Sequence, residues 1–279
     1  NFRPMTAKDI PAGLSFCRDA GWNQLARDWR LFLRISPDGC LVALDENKNV
    51  IGTVATLPYQ SKFTWIGMVL VHPSRRREGI GTALLREAIR LTQKHGTIKL
   101  DATPAGRDVY LKLNFTDEYP ISRMKLDSPV EKDISLDARP ILSSDMPAIF
   151  ELDQEVFGAD RRSILEWSLN GAPQFAFVVE QHGRVEGFCF GRLGYNFNHI
   201  GPIVSRDVNV AIQLLSVALQ QSKNKPVIID VLEHSSEWTT YVSSLGFLKM
   251  RPLIRMFRGS NTFPGIPENQ FAILGPEFG

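Results

Sequence analysis

Three consecutive arginines, a glutamate and two glycines stand together in Arg75-Arg76-Arg77-Glu78-Gly79-Ile80-Gly81-Thr82, just after the apolar run Met68-Val69-Leu70-Val71 and the turn residues His72-Pro73-Ser74. A strand that passes through a turn into a helix at Arg76-x-x-Gly79-x-Gly81 is suited to holding a pyrophosphate. The first N–H groups of a helix have no partners inside it, and the helix dipole adds partial positive charge at that end. Glycine at 79 and 81 removes side chains that would keep an anion away from the backbone. Two better-known phosphate patterns fail: Leu84 stands where the dinucleotide fingerprint needs a third glycine, and no Lys-Ser/Thr pair follows as a phosphate loop requires. Taken alone, the segment is equally consistent with an ordinary helix start carrying solvated arginines.

The elements that must position this segment follow from hydrophobic spacing. Strands are expected at Phe2–Met5, Cys40–Leu44, Val50–Leu57, Phe63–Val71, Ile98–Ala102 and Thr116–Lys125. Asp9-Ile10-Pro11 opens one helix, and Leu25, Trp29, Phe32 and Leu33 predict another over Trp22–Ile35. Gly79–His95 is the clearest helix, with Ile80, Ala83, Leu84, Ala88 and Leu91 on one stripe, and Gly106–Leu113 is a further short one. Mixed α/β architecture is the fold class these patterns predict.

The order is written twice. Arg3-Pro4-Met5-Thr6-Ala7-Lys8-Asp9-Ile10-Pro11 matches Arg139 to Pro147 without gaps at an offset of 136, with four of nine positions identical. Leu44–Gly52 aligns with Val179–Gly187 at an offset of 135, and Leu113-Asn114-Phe115 mirrors Leu245-Gly246-Phe247. The second copy then predicts helices at Val208–Gln221 and Ser236–Leu245 around a strand at Val227–Val231. Phe271–Phe278 alternates weakly and is expected as an edge strand of the second sheet. The polar stretch Asp127–Asp133, with Pro129, reads as the linker, so domains are expected at 1–128 and 136–279.

Composition agrees with two ordinary cores: 279 residues, 43% hydrophobic and 22% charged. A net charge of +2, from 32 basic and 30 acidic residues, argues against nucleic acid or a membrane surface as partner. Cys17, Cys40 and Cys189 are odd in number and lack CxxC spacing, so neither a disulfide framework nor a metal site is expected. No apolar run approaches the ~20 residues that span a bilayer, and no export signal is visible, so the expectation is a soluble, cytoplasmic protein.

With its context, Arg76-x-x-Gly79-x-Gly81 resembles motif A of the GNAT family of N-acetyltransferases. Val109-Tyr110-Leu111-Lys112-Leu113-Asn114-Phe115 is similar to that family's closing Leu-Tyr-x-Lys-x-Gly-Phe helix, with Asn114 in the glycine's place. Gly21-Trp22-Asn23 and Leu100-Asp101-Ala102-Thr103 further resemble a tandem, YitH-like subgroup. The likeness implies two tandem GNAT-like domains, each a mixed, mostly antiparallel sheet flanked by helices. It implies acetyl-CoA as acyl donor and direct attack by the primary amine of a small-molecule or amino-acid-like acceptor. Aminoacyl or peptide acyl transfer, and a non-catalytic acyl-CoA sensor, are the alternatives. A monomer or homodimer fits equally.

The residues this resemblance assigns are specific. Val69, Leu70 and Val71 would offer strand amides to the thioester and the pantetheine arm. Arg76, Arg77, Glu78, Gly79, Ile80, Gly81 and Thr82 would line the pyrophosphate, and Thr103 takes the place of a family asparagine that contacts the cofactor. Tyr110 would be the general acid for the leaving thiolate. An alkyl ammonium lies about 3.4 pKa units from neutrality at pH 7, or roughly 4.6 kcal/mol, so a base is also expected. Asp101 is the first candidate, with Glu118 and His72 behind it, and Trp22 and Asn23 would face the acceptor.

The second copy departs where it matters. Ile203-Val204-Ser205-Arg206-Asp207-Val208-Asn209-Val210-Ala211 stands at the motif A position with no glycine. Tyr241 lies six residues before Phe247, whereas Tyr110 lies five before Phe115, a difference of about 100° around a helix. Only the first copy is therefore expected to bind the donor; the second is expected to be structural or acceptor-shaping.

Overall fold

The computed structural model describes residues 1–92, 96–128, 137–222 and 225–279. The first half of the chain runs β1 (Phe2–Pro4), α1 (Ile10–Asp19), α2 (Ala26–Ile35), β2 (Leu41–Leu44), β3 (Val50–Tyr59), β4 (Phe63–Val71), α3 (Ile80–Thr92), β5 (Thr97–Ala102), α4 (Pro104–Leu111) and β6 (Thr116–Leu126). The second runs β7 (Arg139–Pro140), α5 (Met146–Phe157), α6 (Arg162–Gly171), β8 (Phe177–Gln181), β9 (Arg184–Leu193), β10 (Asn198–Ser205), α7 (Val208–Gln220), β11 (Val227–Leu232), α8 (Ser236–Ser244), β12 (Leu248–Arg258) and β13 (Gln270–Ala272). The expected linker residues Pro129–Asp133 and the expected helix end Gln93–His95 lie outside the described residues.

The repeat seen in the sequence has a mechanical meaning. Arg3 donates to both oxygens of Asp9 at 2.8 Å, and Arg139 does the same to Asp145 at 2.9 and 2.7 Å. Each aspartate also accepts a backbone N–H three residues upstream, from Thr6 or Leu142. One Arg–Asp fork thus staples the first strand of each copy to the start of its first helix. The helix predicted from Trp22 begins instead at Ala26. Gly21 turns the chain with φ +67°, and the Asp28 carboxylate takes the Leu25 N–H at 2.5 Å, fixing the start one turn later.

Two compact units form, and each takes residues from both halves of the sequence. The first comprises residues 1–118, 255–262 and Phe278; the second comprises 119–254, 263–277 and Gly279. In the first unit the strands follow the order β1-β2-β3-β4-β5, with the Arg255–Arg258 end of β12 as the next strand. All neighbours from β1 to β4 are antiparallel, and β4 pairs with β5 in parallel. The second unit repeats the pattern from β7 through β10, and β10 pairs with β11 in parallel.

Faces follow from alternation. Gly52 of β3 lies against α3, where an added Cβ would stand 2.9 Å from Leu84 Cδ1. Leu57 and Tyr59 therefore face the other way, together with their partners Trp65 and Phe63 on β4. Trp65 is paired in register with Lys99 of β5, which carries Lys99 and Asp101 to that same face. Phe32 of α2 covers it, stacked on Phe278 with ring centroids 5.2 Å apart.

Candidate active site

The first unit opens a V in its sheet. Parallel pairing of β4 with β5 runs from Phe63↔Thr97 to Trp65↔Lys99 and then stops. On its other edge β4 carries a bulge: Thr53 pairs with Leu70 and Ala55 with Gly67, so Met68 and Val69 together stand opposite Val54 alone, one residue more than the ladder needs. Met68 takes φ +56°, and its carbonyl accepts the Thr53 hydroxyl at 2.8 Å, which pins the irregular turn of the strand. The backbone of Ile66–Val71 is thereby left free of ladder partners on the β5 side. Val69, Leu70 and Val71, the strand residues singled out from the sequence resemblance, lie in this stretch.

At the top of the V, the first backbone bond of α3 is Ala83 N–H to Gly79 C=O at 2.9 Å. The N–H groups of Ile80, Gly81 and Thr82 precede it, and among the described residues no side chain caps this end. Gly79 holds φ +81° with open space where a Cβ would point, and a Cβ on Gly81 would make only ordinary contact with Val71 at 3.5 Å. The arginines differ in their engagement. Arg75 grips both oxygens of Glu78 at 3.0 and 2.9 Å, so the Glu78 carboxylate is neutralised by its neighbour and presents no bare negative charge to an anion. Arg76 donates to the Val71 carbonyl at 3.3 Å, tying the turn back to β4. Arg77 turns the chain at φ +68° and is exposed. A positive, uncapped helix end beside unpaired strand amides is chemically fitted to a diphosphate joined to an amide-rich arm.

Tyr110 sits half-buried on α4 with its ring edge-on to Phe115 at 5.8 Å. Its hydroxyl has no hydrogen-bond partner among the described residues, and burial pushes its pKa up to about 12. Asn114 closes the helix at φ +63°, the left-handed geometry that allows it to replace glycine. Thr103 caps α4, its hydroxyl accepting the Gly106 N–H at 3.3 Å, so its oxygen already has work within the fold.

Asp101, the first candidate for the base, is held in an ion pair. Both its oxygens are taken by Arg255, at 2.8 and 2.9 Å, in a buried fork whose guanidinium also lies 4.6 Å over the Trp65 ring. Trp22 is half-buried and Asn23 buried in the turn before α2, where Arg18 donates to the Trp22 and Gln24 carbonyls. His72 is exposed and bonds Ser74 within its own turn. Glu118, the weaker sequence candidate, keeps one buried oxygen without a partner.

In the second unit the corresponding features are filled by the chain itself. Parallel pairing of β10 with β11 ends at Ile200↔Ile229, and β13 then enters the opening, pairing with β10 at Ile203 and Val204 and with β11 at Val231. The weak alternation near the C-terminal end of the sequence is therefore an interior strand and not the expected edge strand. Gly201 is required there, since a Cβ would lie 2.1 Å from the Ile273 carbonyl oxygen. Trp238 of α8 donates to the Phe271 carbonyl at 2.9 Å and locks the insert. The amino end of α7 is capped by Asp207, whose carboxylate accepts the Asn209 N–H at 2.7 Å. Tyr241 shares a 2.6 Å hydrogen bond with Ser216, whereas Tyr110 has no such partner.

Comparison with known proteins decides the family. A model described as "Acetyltransferase (GNAT) family" matches residues 11–115, and one described as "Acetyltransferase (GNAT) domain" matches residues 149–272. The chain is a tandem member of the GNAT family. It is 23% identical over 239 residues to the uncharacterized N-acetyltransferase YitH of Bacillus subtilis strain 168, covering 85% of this chain and 83% of that protein. A Pyrococcus horikoshii protein provisionally assigned as an acetyltransferase matches with a TM-score of 0.83 and 25% identity, over 100% of this chain and 95% of that one. A tandem GNAT protein from the clavulanic acid biosynthesis pathway shares the fold at a TM-score of 0.68 and 18% identity, covering 93% and 98%. Among the described residues of this tandem GNAT, no helix is long and apolar enough to cross a membrane.

Arg255 and Asn261 are the parts of this tandem GNAT that sequence reading missed, and no local signal marks them. One test of the diphosphate site avoids the strained backbone of Gly79. Gly81→Val adds bulk at the first helical turn with only Val71 nearby. It is expected to weaken acetyl-CoA binding at least ~10-fold, or ~1.4 kcal/mol, in a calorimetric titration while leaving the melting midpoint nearly unchanged.

Proposed function

We propose that the first unit is an acetyl-CoA-dependent N-acetyltransferase site and that the second unit binds no donor. Transfer goes to the primary amine of a small-molecule or amino-acid-like acceptor by direct attack. The observation that carries this reading is the contrast between the two Vs: one has an uncapped helix end and a bulged strand with unpaired amides, and the other is occupied by β13 and capped by Asp207.

GNAT proteins generally use acetyl-CoA, which supplies the acetyl group as a thioester when bound. The residues of this chain then divide the work. The Gly79–Thr82 amides hold the diphosphate, with Arg76 and Arg77 adding positive charge at the turn. Amides of the Val69–Val71 segment hold the arm and polarise the thioester carbonyl, an oxyanion-hole role that suits N–H groups with no ladder partner. Tyr110, its proton held firmly by burial, would supply its O–H as a donor to the leaving sulfur.

Calorimetric titration of the full chain with acetyl-CoA is expected to give one site per chain. A screen of turnover across amino acids, polyamines, amino sugars and peptides then tests transfer. Two sites per chain would overturn the assignment of the second unit, and absence of acetyl-CoA binding would overturn the reading as a whole.

A further inference from the structure

The face of the first unit's sheet that carries Trp65, Lys99 and Asp101 holds two carboxylates in different states. Asp101 is closed by the Arg255 fork. Glu118 is not: its Oε1 accepts Asn261 Nδ2 at 2.7 Å and lies 3.6 Å from the Lys99 ammonium, while its Oε2 is buried with no partner. Only 10% of the Glu118 side chain reaches solvent. Asn261, half-buried above it, turns its amide nitrogen to Glu118 and leaves its own Oδ1 as a second buried oxygen without a donor. A buried acceptor without a donor is costly, and more so when it is charged, so two side by side define a place that needs N–H groups. Lys99 is the last β5 residue paired with β4, which sets this place at the level where the V opens.

We propose that Glu118 and Asn261 form the receptor for the acceptor's primary ammonium, Glu118 Oε2 and Asn261 Oδ1 each accepting one of its N–H groups. The inference rests on the acyltransferase reading and names the acceptor class of that same site: an alkylammonium. An ammonium offers three donors and no acceptor, the complement of two acceptor-only atoms. Glu118 Oε2 then takes one proton, converting R–NH3+ to R–NH2. The nitrogen lone pair forms the C–N bond as the C–S bond breaks, a second N–H proton ends on sulfur, and the third stays in the amide. The Lys99 ammonium beside these oxygens is itself pulled down to about 8 by burial.

The test uses the full chain, with n-butylammonium chloride as probe and n-butanol as its uncharged counterpart, each titrated calorimetrically, and coenzyme A titrated in parallel. The native chain is expected to bind n-butylammonium at least tenfold more tightly than n-butanol. Glu118→Gln and Asn261→Leu are each expected to lose about tenfold or more of the ammonium affinity, with butanol and coenzyme A affinities unchanged. Asn261 is half-exposed, so its variant keeps the test decisive if Glu118→Gln disturbs the pairing with Lys99. No preference for the ammonium in the native chain, or undiminished preference in a folded variant, overturns the receptor. Loss of coenzyme A binding in the native chain strikes the acyltransferase reading instead, and the amine titration still decides the receptor.

Discussion

Tyr110→Phe is expected to lower turnover by about 10²-fold or more while acetyl-CoA affinity stays within about twofold. Phenylalanine keeps the edge-on contact with Phe115 and the filled space on α4, so the variant removes one O–H and little else. That O–H has no internal partner to lose, which separates its removal from any cost to stability. The size of the effect is bounded by acidity. A phenol near 12 facing a thiolate near 8.5 is about 3.5 units, or ~4.8 kcal/mol, uphill for complete transfer. Tyr110 therefore acts by a hydrogen bond that strengthens as negative charge grows on sulfur, and full protonation draws on the amine's own proton. Single-turnover rates and a donor titration measure the two quantities separately. An unchanged rate constant in a folded Tyr110→Phe chain removes Tyr110 from the chemistry, and an absence of turnover in the native chain favours a sensor.

Asp101→Ala is expected to cost about 3–5 kcal/mol of stability, the range for breaking a buried ion pair by deleting one member. Arg255 would then stand over Trp65 without the carboxylate that takes its Nε and one terminal nitrogen. Replacing both members together, Asp101→Leu with Arg255→Met, is expected to recover most of the loss, since hydrophobic side chains of similar volume often substitute for buried pairs. Denaturant unfolding of the three chains measures this directly. A single variant that unfolds like the native chain but turns over slowly would instead restore Asp101 as the base.

What was legible in the sequence is what is local. The strand, turn and helix of Met68–Thr82 lie within one short stretch, and Asn114 follows Tyr110 by four residues, so the family resemblance could be carried by contiguous residues in both places. The repeat was legible because each copy needs the same Arg–Asp staple at the same separation. Long-range partners were not. Asp101 and Arg255 are 154 positions apart, and Glu118 and Asn261 are 143 apart, so no periodicity joins them. Asp101 therefore looked available in the sequence, and its pairing with Arg255 is visible only in the fold. The β13 insert is three residues long, too short for alternation to tell an edge strand from an interior one.

The β13 insert has a consequence for how the two units respond to the cell. A segment tethered to its own groove competes at an effective concentration that a freely diffusing molecule does not reach, so the second V stays shut whatever the metabolic state. The first unit, binding its donor as proposed, would be stabilised by RT ln(1 + [L]/Kd) as that donor becomes abundant. On the proposed reading one unit tracks donor supply, while the other keeps its groove filled by its own strand.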